Sequence, residues 1–416
     1  MKYFVLLGDG MADRPVPELH DKTPLQAAFI PNADLLVAKS MCGMVQTIPA
    51  GMEPGSGPAN MAVMGYDPAR YYTGRSPIEA VSLGIDMRPE DIVFRCNLVT
   101  LSQNGNSAYK DYEMADYSAG EITSEEAAEL IHTLEESLSS ENVHFYAGRS
   151  YRHCMVWKNG TLDCELTPPH DISGKCIRDY IPRGDGSEFL LNLMKRSEDL
   201  LRNHPVNRRR AELGKNTADS IWLWGQGTRP QLPSFKSVYG KSGAVISAVD
   251  LVFGIGKLIG LQVIEVPGAT GNLNTHFKGK ADAAIQAFKS GIDYVYLHVE
   301  APDECGHQGD VSGKVKAIER IDDDILGPVY AWLFENKVTS GEEFRILFLP
   351  DHPTPIALRT HTSDPVPFMM YASDDPTGNG AKAFSESEAA ATGLRFDSGP
   401  FLFRFFIKPD RLVPIQ

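Results

Sequence analysis

DYVYLHVEAPDECGH, residues 293–307, decides how the rest of the chain is read. It opens as a short apolar, β-forming run, the pattern of a parallel strand buried on both faces. It then breaks at Pro302 and sets Asp303 and His307 four residues apart, just past the strand's carboxyl end. Three other segments share this pattern. YFVLLGDG (3–10) stops at Asp9 between two glycines, GAVISAV spans 243–249, and FRILFLPDH (344–352) runs into Asp351 and His352. Three of the four therefore carry acidic or imidazole side chains at the carboxyl end, the edge of a doubly wound sheet where sites are built. Between them, GKADAAIQAFK (279–289) and SGKVKAIERIDDDILGPVYAWLFE (312–335) place apolar residues at helical spacing. The alternation predicts an α/β domain with a doubly wound, mostly parallel sheet.

The middle of the chain changes rhythm. DIVFRCNLVTL (91–101), SEEAAELIHTLEESL (124–138), NVHFYAGRSYRHCMVWKNGTL (142–162) and GSEFLLNLMKRSEDLLRNH (186–204) read as strand, helix, strand pair and helix. Chemistry-bearing residues lie on both sides of this stretch. Residues 91–219 are therefore expected to form a smaller α+β domain inserted into one discontinuous domain made of 1–90 and 220–416. The chain of 416 residues is long enough for two such domains.

Formal net charge is -14, from 40 Lys+Arg against 54 Asp+Glu. An acidic surface of this kind argues against nucleic-acid and anionic-lipid partners, yet a local cluster of metals and arginines can still receive an anion. The six cysteines (Cys42, Cys96, Cys154, Cys164, Cys176 and Cys305) form no C-x-x-C pair, as expected of free thiols in a reducing cytoplasm. The apolar run at the N-terminus is too short and too soon acidic for an export signal, and no stretch approaches the roughly 20 apolar residues of a membrane span. A homo-oligomer is compatible with all of this.

Asp9, Asp303, His307, Asp351, His352 and His361, the last in RTHTSDP, form a set of carboxylates and imidazoles suited to divalent cations. An Asp and a His four apart can meet at one metal, and an adjacent Asp-His pair can reach two metals about 4 Å apart. Ser56, in EPGSGPANMAVMG, lies between two glycines ahead of a helix-like pattern. A serine at a helix N-terminus suits an anion, and metal coordination would make its hydroxyl a nucleophile. Arg75, Arg149, Arg152, His153 and Lys241 are candidate grips for an anionic substrate, and Asp116, His170 and Asp171 sit in turn-rich stretches able to line a cleft. No G-x-x-x-x-G-K-S/T loop occurs, which argues against a P-loop kinase.

LLGDGMAD, DKTPLQAA, PGSGPANMAVMGYDP, YYTGRSPIEA, HVEAPDECGH and PDHPTPIALRTHTSDPVPF occur in one order along nearly the whole chain. In this the chain resembles the archaeal-type cofactor-independent phosphoglycerate mutases of the alkaline phosphatase superfamily. The resemblance implies an alkaline-phosphatase-like fold, two divalent metals (manganese or zinc, with magnesium a further option) and a transiently phosphorylated serine. It implies one metal on Asp303, His307 and His361 and the other on Asp9, Ser56, Asp351 and His352. The implied activity is interconversion of 2- and 3-phosphoglycerate, a cytoplasmic step of glycolysis. Two departures stand out. Ser56 is followed by Gly57 where the family commonly has Asp. CNLVTL, DYSAGEI, GRSYRH, TPPHDI, HPVN and WLWGQG are closer to a bacterial branch proposed to act as homoserine kinase. A kinase-like transfer to homoserine, with Asp116 or Asp171 receiving the ammonium, is therefore the first alternative. A metal-dependent phosphatase and a non-enzymatic metal-binding protein follow.

Overall fold

The computed structural model describes residues 1–103 and 108–408. The chain divides into two compact units, Met1–Tyr72 with Leu232–Gln416, and Thr73–Gln231.

The first unit is built on an eight-stranded sheet. From one edge to the other its strands are Gln262–Ile264, Gly243–Ile246, Tyr294–Val299, Lys2–Gly8, Phe344–Leu349, Val366–Ala372, Ser40–Val45 and Arg395–Phe396. Only Val366–Ala372 runs against the others, so the sheet is mostly parallel. Every residue of Lys2–Gly8 and of Tyr294–Val299 is buried, which explains why both read as apolar runs without alternation. The register decides where the chemistry emerges. Gly8 lies opposite Val299 and Leu7 opposite Leu349, so Asp9, Glu300 and the loop containing Asp351 leave the sheet side by side. The expected helix over 312–335 is interrupted. Val311–Ile321 and Gly327–Ser340 are joined by a π-helical turn at Asp322–Leu326. The Asp322 carboxylate accepts the backbone N–H groups of Asn32 and Ala33, filling the open N-terminus of the helix Pro31–Val37.

The second unit is an antiparallel sheet organised around the long strand Ile92–Ser102. That strand pairs with Glu113–Asp116, Arg152–Trp157 and Ser220–Thr228, and Val143–Arg149 pairs with Arg152–Trp157. In the helix Ser124–Leu138, Ala127, Leu130, Ile131, Leu134 and Leu138 fall on one face and are buried, and the Thr123 hydroxyl caps its first turn. They join Phe94, Cys96, Leu98 and Met155 in one core. The opposite face carries Val93, Cys154 and Val156, packed with Ala80, Ile85 and Met87. This second packing explains why the unit runs from 73 to 231 and not, as expected, from 91 to 219. The strand Ser220–Thr228 joins its sheet and the helix Arg75–Ser82 packs against it, a relation that periodicity does not reveal.

Candidate two-metal active site

Asp9 is the first residue beyond its strand, and its backbone N–H is still held by the Val299 carbonyl at 2.9 Å. The chain then turns at Gly10, whose φ of 60° places it in the left-handed region and whose N–H donates to Asp351 Oδ1 at 3.1 Å. Asp351 Oδ1 also accepts the His352 N–H at 3.0 Å. Its Oδ2 accepts Asn60 Nδ2 at 2.8 Å, and Asn60 Oδ1 in turn accepts the Tyr296 hydroxyl at 2.6 Å. Ser56 opens the helix Ser56–Val63, and its Oγ lies 3.2 Å from His352 Nε2. His352 Nε2 is 3.5 Å from Asp9 Oδ1 and 3.4 Å from Asp351 Oδ2. Asp9, Asp351 and His352 thus offer ligand atoms within 4.8 Å of one another, and all three are buried.

A second cluster adjoins the first. Asp303 and His307 lie four apart in the helix Ala301–Gln308, with His307 Nε2 3.2 Å from Asp303 Oδ2. His361 Nε2 is 3.5 Å from Asp303 Oδ1 and 3.0 Å from His307 Nε2. The His352 and His361 rings are 4.2 Å apart between centroids, which joins the two clusters. His307 Nδ1 lies 3.0 Å from the Arg359 carbonyl, and donation there leaves Nε2 facing Asp303 and His361. Arg359 holds that carbonyl from a left-handed φ of 54°.

Four observations fit this donor set to divalent cations. Asp9 Oδ1 is buried with no hydrogen-bond partner among the described residues, although its other oxygen is 2.8 Å from His298 Nε2. Burial, followed by the Asp351 and Asp303 carboxylates, pushes the Asp9 carboxyl far above its ordinary range. At Asp303 burial also works upward, but the hydrogen bonds to His307 and His361 outweigh it and hold the carboxyl well below that range. The same bond to Asp303 raises His307 to about 9, while burial lowers His352. Crowded carboxylates, and imidazole nitrogens facing one another, are what cations would relieve.

The second unit gathers some of the expected substrate residues and not others. Arg75 Nε is 2.7 Å from Glu79 Oε1, Arg95 Nε is 3.2 Å from Glu79 Oε2, and the Arg95 guanidinium stacks 4.7 Å from the Trp224 ring. His170 packs edge-on against Trp224 and Tyr117, and Tyr117 packs against Tyr151, over which Arg152 lies. Arg75, Arg152 and His170 therefore share one polar face with Arg95 and Glu79. Arg149 is paired with Arg152 across the hairpin and is exposed. Asp171 is exposed beside His170, 3.6 Å from its Nε2. His153 is 2% exposed, shares the sheet face of Cys96 and Met155, and accepts the Gly148 N–H, so the strand's alternation turns it inward, where burial removes it from the surface groups able to grip an anion. Both Asp116 oxygens are occupied by a turn: Oδ1 accepts from Ser118, and Oδ2 from Gly120 and Asn216. That carboxylate is no receptor for an ammonium group. Lys241 precedes the strand Gly243–Ile246, with its ammonium 5.4 Å from the ring of Tyr3. It thus lies at the amino edge of the first unit's sheet, opposite the metal ligands.

A family model for 2,3-bisphosphoglycerate-independent phosphoglycerate mutase matches residues 38–207. The enzyme of that name from Methanosarcina acetivorans is 51% identical over 387 residues, covering 93% of this chain and 94% of its own length. The chain belongs to this mutase family. A probable mutase from Geobacter sulfurreducens is 48% identical over 96% of this chain and 98% of its own. Among solved structures, a Pyrococcus horikoshii protein superposes with a TM-score of 0.81 at 27% identity over 100% of this chain and 99% of its own. The cofactor-independent phosphoglycerate mutase from Thermoplasma acidophilum does so with 0.66 at 25% over 99% and 100%.

One departure from the family pattern has a structural counterpart. A Cβ on Gly57 would lie 2.6 Å from the Tyr72 ring, so any side chain following Ser56 would have to displace that tyrosine. Sequence reasoning missed several residues of this mutase fold. His298, Asn60 and Thr354 stand inside HVEAPDECGH, PGSGPANMAVMGYDP and PDHPTPIALRTHTSDPVPF, yet none carries an ordinary ligand spacing. Ser247 is one more. Its Oγ accepts the Val249 N–H at 3.0 Å and lies 3.1 Å from His298 Nδ1. His298 Nε2 faces the Asp9 carboxylate and so carries the ring proton, which leaves Nδ1 to accept the Ser247 hydroxyl. Glu79 lies in YYTGRSPIEA and Arg95 in DIVFRCNLVTL, where no spacing marks either as a site residue.

Proposed function

We propose that the chain interconverts 2- and 3-phosphoglycerate through a phosphoserine on Ser56, using two divalent cations, manganese or zinc, held by Asp9, Ser56, Asp351 and His352 and by Asp303, His307 and His361. The observation that carries this reading is the Ser56 hydroxyl at the start of a helix, 3.2 Å from His352 Nε2 and next to a buried set of acidic and imidazole ligands. Bound cations would lower the pKa of that hydroxyl and offset the charge on the phosphoryl oxygens.

The chain's own residues do the rest. Ser56 Oγ, its hydroxyl proton released to solvent, attacks phosphorus in line. The O–P bond to the substrate breaks as the serine O–P bond forms. The freed glycerate oxygen takes up the proton of the other hydroxyl, the glycerate reorients, and that second oxygen takes the phosphoryl group back, restoring Ser56. The helix that Ser56 opens presents its free N–H groups and positive dipole end to the anion. In this reading Arg75, Arg152 and His170, with Arg95, hold the substrate's carboxylate and phosphate. Charge-assisted bidentate contacts suit both groups. Water must be kept from the phosphoserine, otherwise hydrolysis replaces transfer. No helix among the described residues is long and apolar enough to cross a membrane, and all six cysteines are free, which suits an enzyme of the cytoplasm.

Phosphorus NMR of the manganese-loaded protein tests this reading. Addition of 3-phosphoglycerate should yield 2-phosphoglycerate to equilibrium. Free phosphate as the main product would make the chain a phosphatase, and phosphohomoserine formed from ATP and homoserine would make it a kinase.

A further inference from the structure

Thr354 is 0% exposed and lies between the two ligand clusters. Its Oγ1 is 2.5 Å from Asp303 Oδ1 and 3.3 Å from His352 Nδ1. A hydroxyl has one proton, and a carboxylate offers only lone pairs, so that proton is committed to Asp303. His352 can then meet Thr354 only as a donor, through Nδ1–H. The tautomer this selects leaves the Nε2 lone pair free, and Nε2 is the nitrogen that faces Ser56, Asp9 and Asp351.

We propose that Thr354 is a positioning residue shared by both metal sites, its single hydroxyl orienting Asp303 for one ion and fixing the metal-accepting tautomer of His352 for the other. This rests on the two-metal reading above and assigns Thr354 no contact with either ion.

The surroundings hold the threonine in place. Its N–H donates to the Ala12 carbonyl at 3.2 Å. Its own carbonyl accepts the buried Lys314 ammonium at 2.9 Å, and that ammonium also reaches Asp13 Oδ2 at 2.7 Å. Two glycines leave it room. A Cβ on Gly10 would come within 2.5 Å of both Thr354 Oγ1 and Asp303 Oδ1, and one on Gly306 would come within 2.6 Å of the Thr354 carbonyl. The hydrogen bond to Asp303 therefore passes through space that any other residue at position 10 would fill. Hydrogen bonds linked through one hydroxyl polarise one another, so a change at one ligand is felt at the other.

The test is calorimetric titration of Mn2+ into the chelator-stripped full chain, with metal-free melting measured in parallel. Thr354→Val keeps the shape and removes the hydroxyl. Both Mn2+ affinities should fall by about 10–100-fold, the usual cost of losing a partner that orients a ligand. Thr354→Ser restores the hydroxyl and should restore both affinities, whereas a purely structural threonine would show its loss in metal-free melting. Should Thr354→Val fail to fold, Thr354→Ala carries the same expectation. The proposal is overturned if the hydroxyl-free variant binds two ions as the wild type does, if only one site weakens, or if Thr354→Ser falls as far as Thr354→Val. A wild type that takes up a single ion contradicts the two-metal reading first and the shared threonine with it.

Discussion

The two units handle charge in opposite ways. In the first, carboxylates and imidazoles stand at the carboxyl edge of a parallel sheet, Asp351 and His352 fully buried, their geometry fixed by backbone N–H groups and by Asn60, Tyr296 and Thr354. In the second, arginines project from an antiparallel sheet and from the helix beside it, with the Arg75 side chain 43% exposed and Glu79 the carboxylate bonded to both Arg75 and Arg95. A buried, over-determined set of acceptors is suited to an ion that stays. A partly solvated set of donors is suited to an anion that must arrive, turn and leave. Damage to the first should therefore abolish the chemistry, and damage to the second should weaken its grip.

Ser56→Ala should show the largest effect. Transfer falls on the order of 10⁴-fold or more, because no oxygen remains to attack, while metal content measured by emission spectrometry is unchanged. Asp303→Ala comes next. Metal uptake falls and activity drops on the order of 10³-fold, the several kcal/mol a metal clamp supplies, with far-UV dichroism intact. If either variant is only mildly impaired, the contrast between the units fails. In the second unit, Arg152→Ala should lower kcat/KM by roughly ten- to 150-fold through one lost charge-assisted contact. It should also raise the ratio of free to transferred phosphate. An unchanged ratio would reduce Arg152 to a surface residue. Glu79→Gln should act on stability before catalysis. It leaves Arg95, whose side chain is 10% exposed, short of its counter-charge, at a cost of about 3 kcal/mol in urea denaturation.

The most gradual effect is a pH slope. Burial holds His153 down to about 3, so below about 6.5 the unfolded chain takes up a proton that the folded chain refuses. This group's contribution to stability is constant above that pH and declines as pH falls toward 3, by up to about 1.4 kcal/mol per unit. His153→Asn, whose amide oxygen can accept from Gly148, should flatten the loss between pH 6.5 and 4. Parallel curves for variant and wild type would place a titrating imidazole there.

The first unit was the more legible from sequence, for a physical reason. A strand buried on both faces reads as an unbroken apolar run, and a parallel sheet puts its site where such runs end. Asp9, Asp303 and Asp351 therefore announced themselves. The residues that orient them did not, because His298, Asn60 and Thr354 act through single hydrogen bonds that follow no periodic rule. The second unit hid more. Its sheet is joined by the strand Ser220–Thr228 and covered by the helix Arg75–Ser82, both long-range relations, and a charged residue's exposure cannot be read from its type. His153 and Arg152 are neighbours in sequence, yet the strand turns one inward and the other out. Lys241 carried the right charge and stands at the wrong edge of the sheet.

The most direct test of the account is to mix the metal-loaded protein with 3-phosphoglycerate, quench in acid within a turnover, and map phosphate on the chain by mass spectrometry. The account predicts a phosphopeptide containing Ser56, absent from Ser56→Ala and discharged when the reaction runs to equilibrium. Phosphate on any other residue, or full conversion of substrate with no phosphorylated Ser56 at any time, would contradict it.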